Sequence, residues 1–175
     1  MKKIFSIAAI ASLLFATLVA GAQDKDKSKR PSPPAAVSQA IASGATIRID
    51  YSQPSVKGRV IGTDLEPKEG TVWRTGANEA TVFETDKDVK INGQALPAGK
   101  YSLFSLSGKD EWTIIFNKTW NQWGAYDYKA ADDALRIKVK PSKAGAFAEK
   151  LTFTIDKNGK VNLAWGELLV GFEVK

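Results

Sequence analysis

Residues 46–51, Thr-Ile-Arg-Ile-Asp-Tyr, alternate strictly between polar and apolar side chains. A period of two places Ile47, Ile49 and Tyr51 on one face of a strand and the polar residues on the other. This pattern is typical of a half-buried antiparallel strand. Three later segments repeat it, namely Leu135–Lys140, Leu151–Asp156 and Val161–Trp165.

Two segments between these strands, Tyr101–Leu106 and Trp112–Phe116, are apolar on both faces, as central strands are. Turn residues separate the strands at roughly ten-residue spacing. The turns are Asn92-Gly93, Leu96–Gly99, Ser107–Asp110 and Lys157–Gly159. The sequence therefore predicts an all-β fold, an antiparallel β-sandwich (jelly-roll-like or a distorted barrel), with residues 37–175 as a single domain.

The N-terminus has the pattern of a secretory signal peptide, residues 1–22. Lys2 and Lys3 precede an apolar run, Ile4–Val19, and Ala20–Ala22 supplies the small residues of a cleavage site. No cysteine follows the run, so lipid attachment is not expected. We expect a periplasmic or secreted protein with no stable membrane insertion after cleavage. The alternative is an uncleaved anchor.

A charged, proline-rich segment, Gln23–Ala36, follows the predicted signal. It has almost no bulky apolar side chains whose burial could offset the loss of chain entropy. We therefore expect a flexible leader here. One short helical turn is possible over Pro34–Ala42.

Composition removes several classes of chemistry, because the chain has no cysteine and no histidine. Disulfides, Ser-His-Asp catalysis and zinc sites built from these residues are excluded. We expect no cofactor and no metal. Glu84, Asp86 and Asp88 could hold a weak calcium ion, but no calcium-loop motif accompanies them. The net charge is +6, but the basic residues are interleaved with acidic residues along the chain, so nucleic acid is not an expected partner.

Residues 73–81, Trp-Arg-Thr-Gly-Ala-Asn-Glu-Ala-Thr, form the most chemically mixed stretch of the chain. Trp73 offers a stacking face, and Arg74 presents a planar fork of donors that suits a carboxylate, a phosphate or sugar hydroxyls. Asn78 donates and accepts, and Glu79 accepts. These four residues are candidate ligand-binding residues.

Arg59, in the polar loop after residue 51, is a fifth candidate. With Lys57 it could bring positive charge beside Arg74, which would favour an anionic ligand. The alternative is a structural network in which Arg74 and Glu79 pair with each other or with Asp50 and Arg59.

Aromatic residues are dense between positions 112 and 128. Trp112, Trp120 and Trp123 are followed by Tyr126 and Tyr128. Loop aromatics at this density can hold sugar rings by stacking, so Trp120, Trp123 and Tyr126 are further candidates. The alternative is that they belong to the core or cap a sheet edge.

Several motifs together resemble the exported bacterial family called DUF2911, a domain of unknown function. The matching segments are Asp50–Arg59, Val72–Thr81, Leu96–Leu103, Trp112–Asn117, Gln122–Tyr128 and Leu163–Trp165. The resemblance covers nearly all of the chain after the leader. It implies a shared fold and export, but it implies no activity.

Three functions stay open at this point. The first is binding of a small polar ligand, such as a glycan, an envelope fragment or an anionic small molecule. The second is a carboxylate-based hydrolase acting on a glycan, in which Glu79 is the catalytic carboxylate and Arg74 stabilises charge. It needs a second carboxylate, such as Glu84, Asp127 or Asp132. The third is a structural or interaction protein of the envelope with no small-molecule site.

Overall fold

Eleven strands make up the computed structural model, which describes residues 26–175. The predicted signal peptide lies outside the described residues. The strands are β1 (Pro34–Ala40), β2 (Thr46–Ser52), β3 (Val72–Trp73), β4 (Thr81–Thr85), β5 (Val89–Ile91), β6 (Gln94–Leu96), β7 (Gly99–Leu106), β8 (Trp112–Asn117), β9 (Asp133–Val139), β10 (Ser142–Ile155) and β11 (Lys160–Glu173). Two short 3-10 helices cover Lys27–Lys29 and Ala130–Asp132. Within residues 26–175, no helix has the length and apolar character needed to cross a bilayer.

The main sheet is antiparallel and has the order β1-β2-β4-β7-β8-β9, with β3 added beside β7. It is open, because β1 and β9 form its two ends. The long β10–β11 hairpin forms the second layer, and β5–β6 is a small separate hairpin. The predicted all-β antiparallel fold is confirmed.

The core lies between the main sheet and the β10–β11 hairpin. Alternate residues of the strands supply it, which is why the period of two in the sequence was informative. At its centre the ring of Phe116 packs edge-on against Phe83 and Phe172, with centroids 5.1 and 5.7 Å apart. These three side chains join β8 and β4 of the main sheet to β11 of the second layer.

Both faces of β8 are buried, as the sequence predicts for a central strand. Ile115 and Phe104 form a second, smaller cluster on the outer face of the main sheet, away from β10–β11. The loop that follows β8 covers this cluster, and the ring of Tyr128 packs edge-on against Phe104 with centroids 5.0 Å apart. The loop carrying Trp120, Trp123 and Tyr126 is thereby fixed on the outer face.

The prediction of a flexible leader over Gln23–Ala36 is wrong for residues 34–36. Strand β1 begins at Pro34, which pairs with Ser52 of β2, so the predicted start of the domain at residue 37 is too late. The possible helical turn over Pro34–Ala42 is wrong for the same reason. Backbone pairing and partial burial of Val37 against the core stabilise the strand despite its low apolar content.

The C-terminal residues close the fold. Lys175 and Lys90 exchange backbone hydrogen bonds of 2.9 and 2.6 Å, and Val174 is fully buried. The N–H of Val174 donates to the carbonyl of Gly159 at 2.8 Å. Position 159 needs glycine, because its φ is +86° and a Cβ there would clash with the Val174 carbonyl oxygen.

Phe116→Ala tests the core. We expect it to lower the free energy of unfolding by about 3–5 kcal/mol, because it removes a fully buried ring and leaves a cavity. Urea denaturation measures the change. Phe147→Ala is the matched control, since Phe147 is 57% exposed and its loss should stay within about 0.5 kcal/mol. Equal losses in the two variants would contradict the assignment of the core.

Candidate functional site

The loop 73–81 is held by its own hydrogen bonds. The indole N–H of Trp73 donates to the carbonyl of Gly76 at 3.0 Å, and the Thr81 hydroxyl donates to the carbonyl of Thr75 at 2.9 Å. Trp73 is only 4% exposed and belongs to the core. The stacking face expected from the sequence is therefore turned into the protein. What remains available on this loop is mainly the side chain of Arg74.

The two candidate segments of the sequence meet in space. Glu79 forms an antiparallel bridge with Trp123, and the N–H of Ala80 donates to the carbonyl of Gln122 at 3.1 Å. A Cβ built on Gly124 would lie 3.1 Å from Nη1 of Arg74 and 3.0 Å from the ring of Tyr126. Arg74 and Tyr126 therefore both lie against the backbone at Gly124.

The guanidinium of Arg74 has no acidic partner within residues 26–175. The ion pairs expected as the structural alternative do not form, because Glu79 pairs with Arg30 and Asp50 pairs with Arg48. The Nε atom of Arg74 is buried and has no hydrogen-bond partner among the described residues. Such an unmatched buried donor costs about 1–3 kcal/mol. This is unusual for a structural arginine.

Arg59 and Arg74 line one small cavity of about 190 Å³, here called the arginine cavity. Trp73 and Trp165 form part of its wall, and Glu66 contributes an acidic residue to it. Two nitrogens of Arg59, Nε and Nη2, donate to the backbone carbonyls of residues 56 and 55 at 3.1 and 2.7 Å. No carboxylate of the described residues lies within ion-pair distance of either guanidinium.

Glu79 is engaged by the N-terminal segment. Nη1 of Arg30 donates to both carboxylate oxygens at 2.9 Å, and Nζ of Lys27 lies 3.4 Å from one of them. Burial raises the pKa of Glu79, but the hydrogen bonds and charge of Arg30, together with Lys27, outweigh burial and hold the pKa below its usual value. Asn78 is also occupied, since its side-chain amide donates to the carbonyl of Ser32 at 2.9 Å.

The three candidate aromatics are exposed, but they lie in different surroundings. Tyr126 is 80% exposed and lies beside Arg74. The ring of Trp123 is covered in part by the guanidinium of Arg30, 5.9 Å from its centroid. Trp120 instead lies under Lys100, 5.3 Å away.

Most of the acidic side chains singled out in the sequence have partners other than one another. Within residues 26–175, no group of three or more Asp, Glu, His or Cys residues is arranged to hold a metal ion. The possible calcium ligands are separately occupied. Glu84 pairs with Lys100, whereas Asp86 and Asp88 accept backbone N–H groups. The other acids proposed as partners of Glu79 are Asp127, which is exposed, and Asp132, which accepts a hydrogen bond from Thr119.

Sequence reasoning missed two parts of this region. The segment 26–33 looked like a tail, yet it supplies Arg30, Lys27 and the Ser32 carbonyl to the site. A larger cleft of about 860 Å³ beside the arginine cavity was also missed. Its apolar residues come from several distant segments, so no local motif marks it. The sequence signal for the segment 26–33 was its pair of basic residues, Lys27 and Arg30, which lie shortly before β1.

Arg30→Ala tests the grip of the N-terminal segment on Glu79. We expect the pKa of Glu79 to rise, because the variant removes the hydrogen bonds and charge that lower it. An NMR titration of the side-chain carboxyl carbon measures it. Lys29→Ala is the control, since the ion pair of Lys29 within residues 26–175 is with Asp26 and not with Glu79.

The difference in stability between the unmodified protein and Arg30→Ala should depend on pH. A lowered native pKa stabilises the fold above the pKa of Glu79 in the unfolded chain, and this contribution is lost as pH falls through the native pKa. The destabilisation by Arg30→Ala should therefore be present at neutral pH and vanish in acid. A difference that is independent of pH would contradict the ion pair.

Gly124→Ala tests the contact of Arg74 with the loop after β8. Gly124 and Gly70 have similar φ values, +65° and +71°, but a Cβ at Gly70 meets nothing within 4 Å. Both variants carry the strain of positive φ, about 1–2 kcal/mol. Only Gly124→Ala should also displace Arg74, seen as a shift of its Nε–Hε resonance. Equal stability and equal spectra would show that the contact is absent.

Comparison with known proteins adds a family. The protein-family model described as "Protein of unknown function (DUF2911)" matches residues 32–174. Searches of curated proteins and of solved structures found no similar protein. The match begins two residues before β1 and ends within the C-terminal pairing at Val174, so it spans the whole sandwich. The chain therefore belongs to the DUF2911 family.

Proposed function

We propose that this protein binds a small anionic polar ligand, such as an acidic sugar or another envelope fragment, through Arg74. The observation that carries this proposal is the state of the Arg74 side chain. It is half-buried, its Nε is buried without a partner, and no carboxylate of residues 26–175 neutralises it.

Arginine is well suited to this task. Its guanidinium offers five N–H donors in a rigid plane and matches a carboxylate or a phosphate with two parallel hydrogen bonds. A ligand that accepts from Nε would also remove the cost of the unmatched donor. An arginine needed only for folding would be expected to have its acceptor within the protein.

Neighbouring groups extend the site. Arg59 adds a second positive charge to the wall of the arginine cavity. Tyr126 adds an exposed ring beside Arg74, on which a sugar could stack. Glu66 in the same wall opposes an anion, so the ligand must approach closely enough to hydrogen-bond with the guanidinium groups.

Glu79 and Asn78 take a different role from the one expected from the sequence. Both hold the N-terminal segment. Because Arg30 and Lys27 neutralise Glu79, its carboxylate does not repel an anion at Arg74. Their contribution to binding is thus to position the segment and to balance charge.

The hydrolase alternative has less support. A catalytic acid needs a raised pKa, whereas the pKa of Glu79 is lowered. Its two oxygens are also occupied by Arg30. The alternative of an envelope structural protein does not account for an unpaired, half-buried arginine at a cavity.

Arg74→Gln tests the proposal. The candidate ligands are uronic acids, muramic-acid-containing fragments, phosphosugars and their neutral counterparts. We expect acidic compounds to raise the melting temperature, because a ligand that binds only the native state stabilises it by mass action. Calorimetry then gives the affinity. Loss of a charged hydrogen-bonding partner should weaken binding by roughly 10- to 100-fold.

Arg48→Gln is the matched control, since Arg48 is a half-exposed arginine of the main sheet that pairs with Asp50. It should leave binding unchanged. Unfolding of Arg74→Gln, with normal stability of Arg48→Gln, would instead assign Arg74 a structural role. Equal response to acidic and neutral sugars would refute recognition of an anion.

A further inference from the structure

A second concave surface adjoins the arginine cavity. This apolar cleft, of about 860 Å³, lies between the loop 56–69, the turn after β7 and the β10–β11 hairpin. Trp112, Trp165 and Leu168 line it. Val60 and Phe147 also line it and are 58% and 57% exposed. Sites for small molecules have volumes of about 300–1,000 Å³ and mainly apolar walls, so the cleft has the dimensions of a ligand site.

The wall of the cleft is formed before any ligand binds. The loop that carries Val60 and Ile61 is closed on itself, because the N–H of Gly62 donates to the Leu65 carbonyl and the N–H of Val60 donates to the Asp64 carboxylate. The indole N–H of Trp165 donates to the carbonyl of Glu66 at 3.0 Å and ties the loop to β11. A preformed wall reduces the entropy lost on binding.

The cleft and the arginine cavity share two residues, Arg59 and Trp165. The two cavities are therefore neighbours, with Arg59 and Trp165 at their boundary. Charges elsewhere in the cleft are mixed: Lys109 and Glu69 both line it, and Glu167 is paired to Lys143. Arg59 and Arg74, for which no ion pair forms within residues 26–175, both line the arginine cavity, and Glu66 is the acidic residue in the same wall.

We propose that the ligand is an anionic amphiphile, whose carboxylate or phosphate head is held by Arg74 and Arg59 and whose hydrocarbon chain lies in the apolar cleft. This inference rests on the proposed function and names its ligand class. A fatty acid and a lipid phosphate share this chemistry. The head fixes orientation through hydrogen bonds, and the chain supplies affinity by removing Val60 and Phe147 from water.

Titration of the purified protein tests this inference. The anionic probes are dodecanoate and dodecyl phosphate, each below its micelle concentration. Propionate and inorganic phosphate supply the head alone, and dodecyltrimethylammonium supplies the same chain with the opposite charge. Tryptophan fluorescence reports occupancy, since Trp112 and Trp165 line the cleft. Each buried methylene should strengthen binding roughly fourfold.

We expect the long anions to bind at least about tenfold more tightly than the short anions and than the cationic amphiphile. The relative affinities of dodecanoate and dodecyl phosphate distinguish the two sources of the head. Val60→Glu places a charge in the cleft at an exposed position and should lower the ratio of dodecanoate to propionate affinity. Thr154→Glu, at an exposed position of β10 outside the cleft, is the control and should leave the ratio unchanged.

The outcomes separate this inference from the proposed function. If short and long anions bind equally and Val60→Glu has no effect, the hydrocarbon chain of the ligand does not occupy the cleft. Anion binding at Arg74 then stands alone. If the cationic amphiphile binds as tightly as dodecanoate and Arg74→Gln changes neither, both proposals fail. Circular dichroism of each variant shows that the fold is intact.

Discussion

The packing of the β10–β11 hairpin across the inner face of the main sheet is the interaction on which the rest of the structure depends. At its centre Phe116 packs edge-to-face with Phe83 and Phe172, which are tilted against each other, and these contacts fix how the two layers face each other. Trp165 of β11 is placed by the same packing and forms walls of both the arginine cavity and the apolar cleft. The chain has no cysteine, so no disulfide can substitute for this core.

The strands that carry a clear period could be predicted, because that period reflects burial of one face. Residues 46–51 and 161–165 lie in strands as expected, and Asn92-Gly93 forms the tight β5–β6 turn with positive φ at both residues. Strand β1 could not be predicted in this way. Backbone hydrogen bonds to β2 hold it in place, and such bonds leave no pattern in the side chains of the sequence.

The residue types of the candidate site could be proposed from the sequence, since a guanidinium and an exposed ring in loops are typical of binding sites. Their arrangement could not. The structure shows Arg59 and Arg74 in the wall of one cavity, and Arg74 and Tyr126 against Gly124. The partner of Glu79 could not be identified, because Arg30 is 49 residues away in the sequence. Trp73 shows the limit of composition. An indole in a polar stretch is indistinguishable from a core residue until its strand is placed.

The order in which the layers occur along the chain has a consequence for folding. All the strands of the main sheet precede residue 140, whereas the hairpin that covers their inner face occupies residues 142–173. Because synthesis begins at the N-terminus, the apolar side chains of Ile47, Phe83 and Phe116 stay exposed on the inner face of the sheet until the final strand is complete. Contacts between such distant segments make folding slow, and the uncovered sheet can associate with other chains during that delay. The last two strands thus determine when, as well as whether, this sandwich becomes a single stable unit.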